Sequence, residues 1–299
     1  AMIEWENTSE LGQIQVIKTS EGYSSVNGLP AGTPLSGAIF AVYDKQNNVV
    51  DKFQTNENGI GSSKKLPLGI YTVKEVQAPA NYGLNPTVFT ADIEFAGQVV
   101  KLNVTDPVIT AGVSIKKTGY AQTMNNNIMR WTVSGVRNDS TTSLQSFYWR
   151  DTLPTDAVRL TRLVTGTYST TQTYKVTFTT NLNSQWRTAY DNLSTAKNYT
   201  LDMSSAALGL ASNEYVTQFM LSFGIVPAGF HQLTNATVDA QTLYALTNGY
   251  KFTNKADVGG LLGGNWVQSI ARWTTSIYSH YVPAKPAAPK SPTLPRTGY

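Results

Sequence analysis

Short runs in which every second residue is apolar, each closed by glycine, asparagine or proline, narrow the folds open to this chain more than any other feature. GQIQVIK, GAIFAVYD, NVVDKFQT, GIYTVKEV, TVFTADIEF and QVVKLNVT follow one another from residue 12 to about 108, separated by QNN, NENG, LPLG, APANYG and AG. A period of two places alternate side chains on opposite faces of a strand, so each run offers one face to a core and one to water. The separators carry the residues that tight turns need. This stretch reads as a sandwich of ordinary size. After DPVITAG, a second and longer series runs from Val113 to about Val282, punctuated by RNDSTTS, TDA, NLNS, VPAGF and TNGY. With 299 residues, 14% charged, and abundant Thr, Ser, Asn, Gly, Val and Tyr, the chain is expected to be all-β and to form two tandem sandwiches. The expected division is 1–109, 110–282 and a tail, 283–299. Residues 191–215, DNLSTAKNYTLDMSSAALGLASNEY, read as long surface connections with at most a helical turn or two near AALGLA.

The rest of the composition mainly excludes. A net charge of +4 is spread along the chain without a basic stripe interleaved with aromatics, so nucleic acid is not an expected partner. With no cysteine there is neither a disulfide nor a thiolate metal site. His231 and His280 lack a neighbour at metal-ligand spacing and read as surface or rim residues. No metal and no cofactor are expected. GGLLGGNW reads as a flexible connection, since no glycine-rich phosphate loop follows a strand. No apolar run reaches the ~18 residues of a membrane span, and AMIEWEN lacks the regions of a signal peptide, so the sequence reads as a trimmed, soluble piece.

Six apolar alternations end on a polar residue of the inward parity. Ile14 and Val16 lead to Lys18, Tyr71 and Val73 to Glu75, and Leu102 and Val104 to Asp106. Val113 and Ile115 lead to Lys117, Phe147 and Trp149 to Asp151, and Tyr250 and Phe252 to Asn254. Each sandwich thus aims one lysine, one acid and one further Asp or Asn inward. Burial commonly shifts such a pKa by ~3–5 units, at ~1.4 kcal/mol per unit, which rivals the ~5–15 kcal/mol that holds a domain together. One bland explanation is a rim position, where lysine snorkels beside a half-wet carboxylate. The sharper one is chemistry. A desolvated lysine tends to the neutral amine and becomes a nucleophile, and a carboxyl kept protonated polarises a neighbouring carbonyl and shuttles the proton. Folding supplies the proximity, and the product is an amide between side chains, expected to join the first and last strands of each sandwich.

With PLSGAIFAVYD, YTVKEVQAPANY and LNVTDP, the first unit resembles the CnaB-type domains of Gram-positive surface proteins over nearly its whole length. The resemblance implies an isopeptide bond with Lys18 as nucleophile, Glu75 as acid/base and Asp106 as acceptor. Asn is the commoner acceptor in that family, so Asp106 is a departure: it would release water instead of ammonia, or stop at an ion pair. Asn103 has the wrong parity to replace it. The second unit resembles the CnaA-like class through SIKKTGY, FYWRDTLP, TGTY, TYKVTFTTN, FGIVPAGF and YKFTNKADV. Here the resemblance implies Lys117 as nucleophile, Asp151 as acid/base and Asn254 as acceptor; Lys116, the competing lysine, falls on the opposite face from Ile115.

In the tail, Pro283, Pro286, Pro289, Pro292 and Pro295 recur at every third position, the period of a polyproline II rod. Residues 283–294 would then reach roughly 37 Å as a spacer. The tail ends in LPRTG, Leu294, Pro295, Arg296, Thr297 and Gly298, which resembles a sortase sorting signal. In that family a sortase cysteine attacks the Thr297 carbonyl and passes the acyl group to an amine of the cell wall or of another pilin. Together these features resemble a sortase-assembled pilin of the basal or ancillary type. The implied partners are sortase, other pilin subunits and peptidoglycan, and the implied place is the cell surface, covalently attached to the wall. No VYPK-type motif of a shaft subunit occurs; VYDK at 42–45 lies in an ordinary strand. Lys285 and Lys290 are the candidates for linkage to a neighbouring subunit. The alternative is a wall-anchored adhesin that binds a host matrix protein or glycan. A turnover enzyme is the reading the residues support least, because no second cluster of nucleophile, base and orienter occurs.

Overall fold

The computed structural model describes residues 10–279, and its regular structure consists of strands. The first series holds β1 (Leu11–Ser20), β2 (Ile39–Tyr43), β3 (Val49–Gln54), β4 (Ile60–Ser62), β5 (Leu66–Pro67), β6 (Gly69–Gln77), β7 (Val88–Ile93) and β8 (Val99–Asp106). The second holds β9 (Val113–Gly119), β10 (Gln122–Met124), β11 (Ile128–Asn138), β12 (Leu144–Thr152), β13 (Val158–Val164), β14 (Thr167–Tyr168) and β15 (Thr173–Thr180). It continues with β16 (Arg187–Ser194), β17 (Thr200–Asp202), β18 (Val216–Val226), β19 (Gln232–Thr234), β20 (Ala236–Thr242), β21 (Lys251–Leu262) and β22 (Asn265–Tyr278).

In the first series β1 lies between β8, which runs parallel to it, and the short antiparallel β4 and β5. A second sheet has the order β3-β2-β6-β7. Alternate residues of the two sheets close one core around Ile14, Val16, Phe40, Val73, Ile93 and Val104. In the second series a seven-stranded sheet, β10-β22-β21-β12-β18-β15-β16, faces a five-stranded one, β17-β13-β20-β11-β9. Trp131, Trp149, Phe147, Phe219 and Phe230 fill the separate core between them. The chain is therefore all-β. Side chains this large, fully removed from water, make burial of apolar surface the dominant stabilising term.

Three sequence expectations need correction. GGLLGGNW is not a loose connection: Gly259 and Gly260 lie inside β21, and only Gly263 and Gly264 form the turn of a tight hairpin. Both turn residues have positive φ, 56° and 83°, the combination a two-residue hairpin turn requires and glycine supplies without strain. Residues 191–215 are not all surface connection, because Asp191–Ser194 completes β16 and β17 sends Leu201 into the core. Those strand segments are too short for their alternation to stand out. The crosslink proposed for the second unit would not reach its last strand: Asn254 lies on β21, and β22 follows it.

Candidate functional site

Period-two pleating delivers all six predicted side chains to the interior, in two clusters. Lys18 on β1 is fully buried and contacts Asp106 Oδ1 on the adjacent β8. Glu75 reaches across from β6 in the opposite sheet, with Oε1 3.1 Å from Lys18 Nζ. The Phe40 ring flanks Nζ, 5.4 Å from its centroid. Glu75 Oε2 is held by the backbone N–H of Asn85 at 2.8 Å, and the Asn85 amide donates to the Thr105 carbonyl at 2.6 Å, next to the acceptor. Burial first, then the neighbouring Asp106 carboxyl, pushes the Glu75 carboxyl up to about 7; the Asn85 N–H and the Lys18 charge oppose this. Glu75 Oε1 and Asp106 Oδ2 are buried without a well-directed hydrogen bond. A carboxyl that retains its proton near neutrality beside an amine and a second carboxyl is equipped to polarise that carboxyl and pass protons.

The second cluster uses the other topology. Lys117 on β9 comes from the edge of the five-stranded sheet; Asp151 on β12 and Asn254 on the neighbouring β21 come from the seven-stranded one. Asp151 bridges them: Oδ2 is 2.6 Å from Lys117 Nζ, and Oδ1 accepts the Asn254 amide N–H at 2.7 Å. Lys117 Nζ lies 5.6 Å from the centroid of the Trp131 ring. Burial among these groups holds the Lys117 ammonium below the ordinary lysine range, against the pull of Asp151. The Asn254 carbonyl oxygen is buried with no partner. One carboxylate thus touches both the nitrogen that would attack and the nitrogen that would leave. Lys116 is exposed, as its parity requires.

Lys285, Lys290, His280 and the motif Leu294, Pro295, Arg296, Thr297 and Gly298 lie outside the described residues. His231 is half-buried, and its Nδ1 lies 2.8 Å from the Gly229 carbonyl. Sequence reasoning missed Asn85, whose contribution to Glu75 is a backbone N–H that no side-chain pattern signals. It also missed the aromatic walls, Phe40 and Trp131, because parity puts both rings in a core without saying which side chain each will flank.

Residues 12–108 match the family model described as the SpaA prealbumin-like fold domain. A stretch of 69 residues is 41% identical to the trypsin-resistant surface T6 protein of Streptococcus pyogenes serotype M6. That stretch is 23% of this chain and 13% of the T6 protein. Among solved structures, the chain is similar to BcpA, the major pilin subunit of Bacillus cereus, with 14% identity over 89% of this chain and 69% of that one, at a TM-score of 0.29. It is also similar to the full-length RrgB pilus protein of Streptococcus pneumoniae, with 12% identity over 86% of this chain and 49% of that one, at a TM-score of 0.33. For the major pilin SpaD of Corynebacterium diphtheriae the values are 16%, 89% and 67%, with a TM-score of 0.28. Scores this low do not equate the whole-chain arrangements.

Proposed function

We propose that this chain is a structural subunit of a cell-surface pilus, basal or ancillary in position, anchored to peptidoglycan by sortase and stiffened by two self-made isopeptide bonds. The reading takes 1–109 as a CnaB-type sandwich, 110–282 as a CnaA-like sandwich, and 283–299 as a spacer with a sorting signal. The observation that carries it is the pair of buried amine, acid and acyl clusters, one in each core.

In the first cluster, proton transfer to the carboxyl groups frees the Lys18 amine, and Nζ attacks Asp106 Cγ while protonated Glu75 polarises the carbonyl. The N–C bond forms, a C–O bond breaks, and one water leaves. In the second, Asp151 Oδ2 takes a proton from Lys117, Nζ bonds to Asn254 Cγ, and Oδ1 protonates the departing nitrogen. One ammonia leaves. Each acid acts once, on its own chain, so the chemistry builds a structure and turns over no substrate.

Intact-mass measurement of the purified chain tests the proposal directly. A deficit of one water plus one ammonia is expected. A deficit of ammonia alone would leave Lys18 and Asp106 as an ion pair, and an unaltered mass would refute both bonds.

A further inference from the structure

The outer face of the seven-stranded sheet, away from both clusters, carries a groove of about 670 Å³. Trp266 on β22 and Trp186, just before β16, line its two ends, and both indoles are exposed, at 53% and 38%. The Trp266 ring leans across β21 onto Tyr148 of β12, with 5.8 Å between the ring centroids and 72° between the planes, and from β12 to β16 there are three strand spacings, about 14 Å at ~4.8 Å each.

The floor between them is built and fixed. Tyr148 on β12 pairs with Gly259 on β21, where a Cβ would come within 2.9 Å of the phenol ring. Glycine there allows the ring to lie down on the sheet. The Tyr148 hydroxyl donates to Asp257 at 3.1 Å and accepts from Gln268 at 2.9 Å. Asp257, only 3% exposed, also receives two hydrogen bonds from Arg150, at 3.0 and 2.9 Å. This network faces outward and plays no part in the isopeptide chemistry. Among the described residues, Gln268 Oε1, Arg150 Nη1 and Ser222 Oγ have no hydrogen-bond partner and line or edge the groove.

Charge decides the class of occupant. Arg150 is neutralised by Asp257, and Lys175 and Asp191 bring one charge of each sign to the wall. The groove therefore selects neither an anion nor a cation. Aromatic faces at its ends suit the C–H faces of sugar rings, while fixed donors and acceptors between them suit hydroxyls. The distance between the aromatic faces suits two or three rings in a row. We propose that this groove binds an uncharged oligosaccharide, with Trp186 and Trp266 as its stacking platforms and the Tyr148, Arg150 and Gln268 group as its polar floor. The inference is independent of the crosslinks and of the sorting signal.

The test uses the full chain on an array of neutral hexose and N-acetylhexosamine oligosaccharides, with sialylated and sulfated counterparts and a synthetic peptide of residues 283–299 as rival probes. Saturable binding to neutral oligosaccharides is expected, with quenching or a blue shift of tryptophan fluorescence. Trp266→Ala and Trp186→Ala should each weaken it about tenfold, with unaltered thermal unfolding. Gly259→Ala, which lifts Tyr148 into the groove, should weaken it as well. If a variant fails to fold, hydrogen exchange on the unaltered chain gives the same answer, because protection by ligand must centre on β12, β18 and β22. Preference for anionic glycans, occupation by the proline-rich peptide or by a second copy of the chain, binding unaffected by both tryptophans, protection elsewhere, or no neutral ligand would each overturn the proposal.

Discussion

Replacing Glu75 by Gln keeps the shape of the side chain and one carbonyl oxygen but removes the proton that the reaction needs. Its neighbours keep their places, since Asn85 can still donate to the remaining oxygen. The expected result is a chain that shows no loss of water against its own sequence mass, with Lys18 and Asp106 left as a buried ion pair. The energetic consequence follows from the loop. Lys18 and Asp106 lie 88 residues apart in sequence, and tying a loop of that length restricts the unfolded chain by about 4.6 kcal/mol in the chain-entropy treatment of crosslinks. In a domain of this size 1 kcal/mol moves the midpoint by ~4–8 °C, so the first unfolding transition should fall by roughly 20–35 °C. Scanning calorimetry on parent and variant, each first weighed by intact-mass spectrometry, gives both readouts. If the variant forms the bond as completely as the parent, Glu75 is not the acid. If it loses the bond and the transition moves by only a degree or two, the loop account of stability is wrong.

Other outcomes follow from the same geometry. Asp151→Asn should retain the ammonia, because neither polar atom of the new amide can relay a proton from Lys117 to Asn254. The second transition should then drop for want of a loop worth about 5 kcal/mol, leaving the first unmoved. In Lys18→Met no bond can form, and burial together with Asp106 keeps the Glu75 pKa raised, now without the opposing lysine. A group whose pKa is higher folded than unfolded stabilises fully below its unfolded value and loses that contribution as pH rises through the folded one. Chemical denaturation of this variant should therefore show stability declining from about pH 5 to about pH 8. A rise over that interval would contradict the assignment.

Much of the site was legible because parity is a rigid constraint: once Ile14 and Val16 face a core, Lys18 must follow them, and the same rule places the other five residues. What parity cannot supply is strand order. Nothing in the local sequence says that β8 lies parallel to β1, or that Lys117 meets Asp151 from the opposite sheet. The groove was hidden for the same reason, since Tyr148, Gly259, Gln268 and Ser222 come from four strands whose adjacency is a tertiary fact. Gly259 in particular reads as loop in sequence, and only the ring lying over it explains a glycine in mid-strand.

Strand order also makes the two crosslinks mechanically unequal. In the first unit tension enters at Leu11 and leaves at Asp106; a bond between Lys18 and Asp106 carries it along a short length of β1 alone and leaves everything between inside a closed loop. In the second, tension enters at Val113, crosses from Lys117 to Asn254, and then still has Lys255–Tyr278 to run through. That remainder is the β21–β22 hairpin, in which β22 is held by its backbone hydrogen bonds to β21 and its parallel contact with β10, while β21 is also paired with β12. Pulling on Tyr278 loads first the pairs at the open end of the hairpin, beginning with Ser276 and Lys251, so they separate in succession. With β21 kept in place by β12, peeling β22 back to the turn releases residues 263–278, roughly 55 Å of extended chain. Single-molecule pulling on the crosslinked protein should therefore show an inextensible first unit and one short, reversible lengthening from the second. The lengthening should disappear when β22 is tied covalently to β21. An extension matching the whole of either sandwich would mean that its lysine had never been joined.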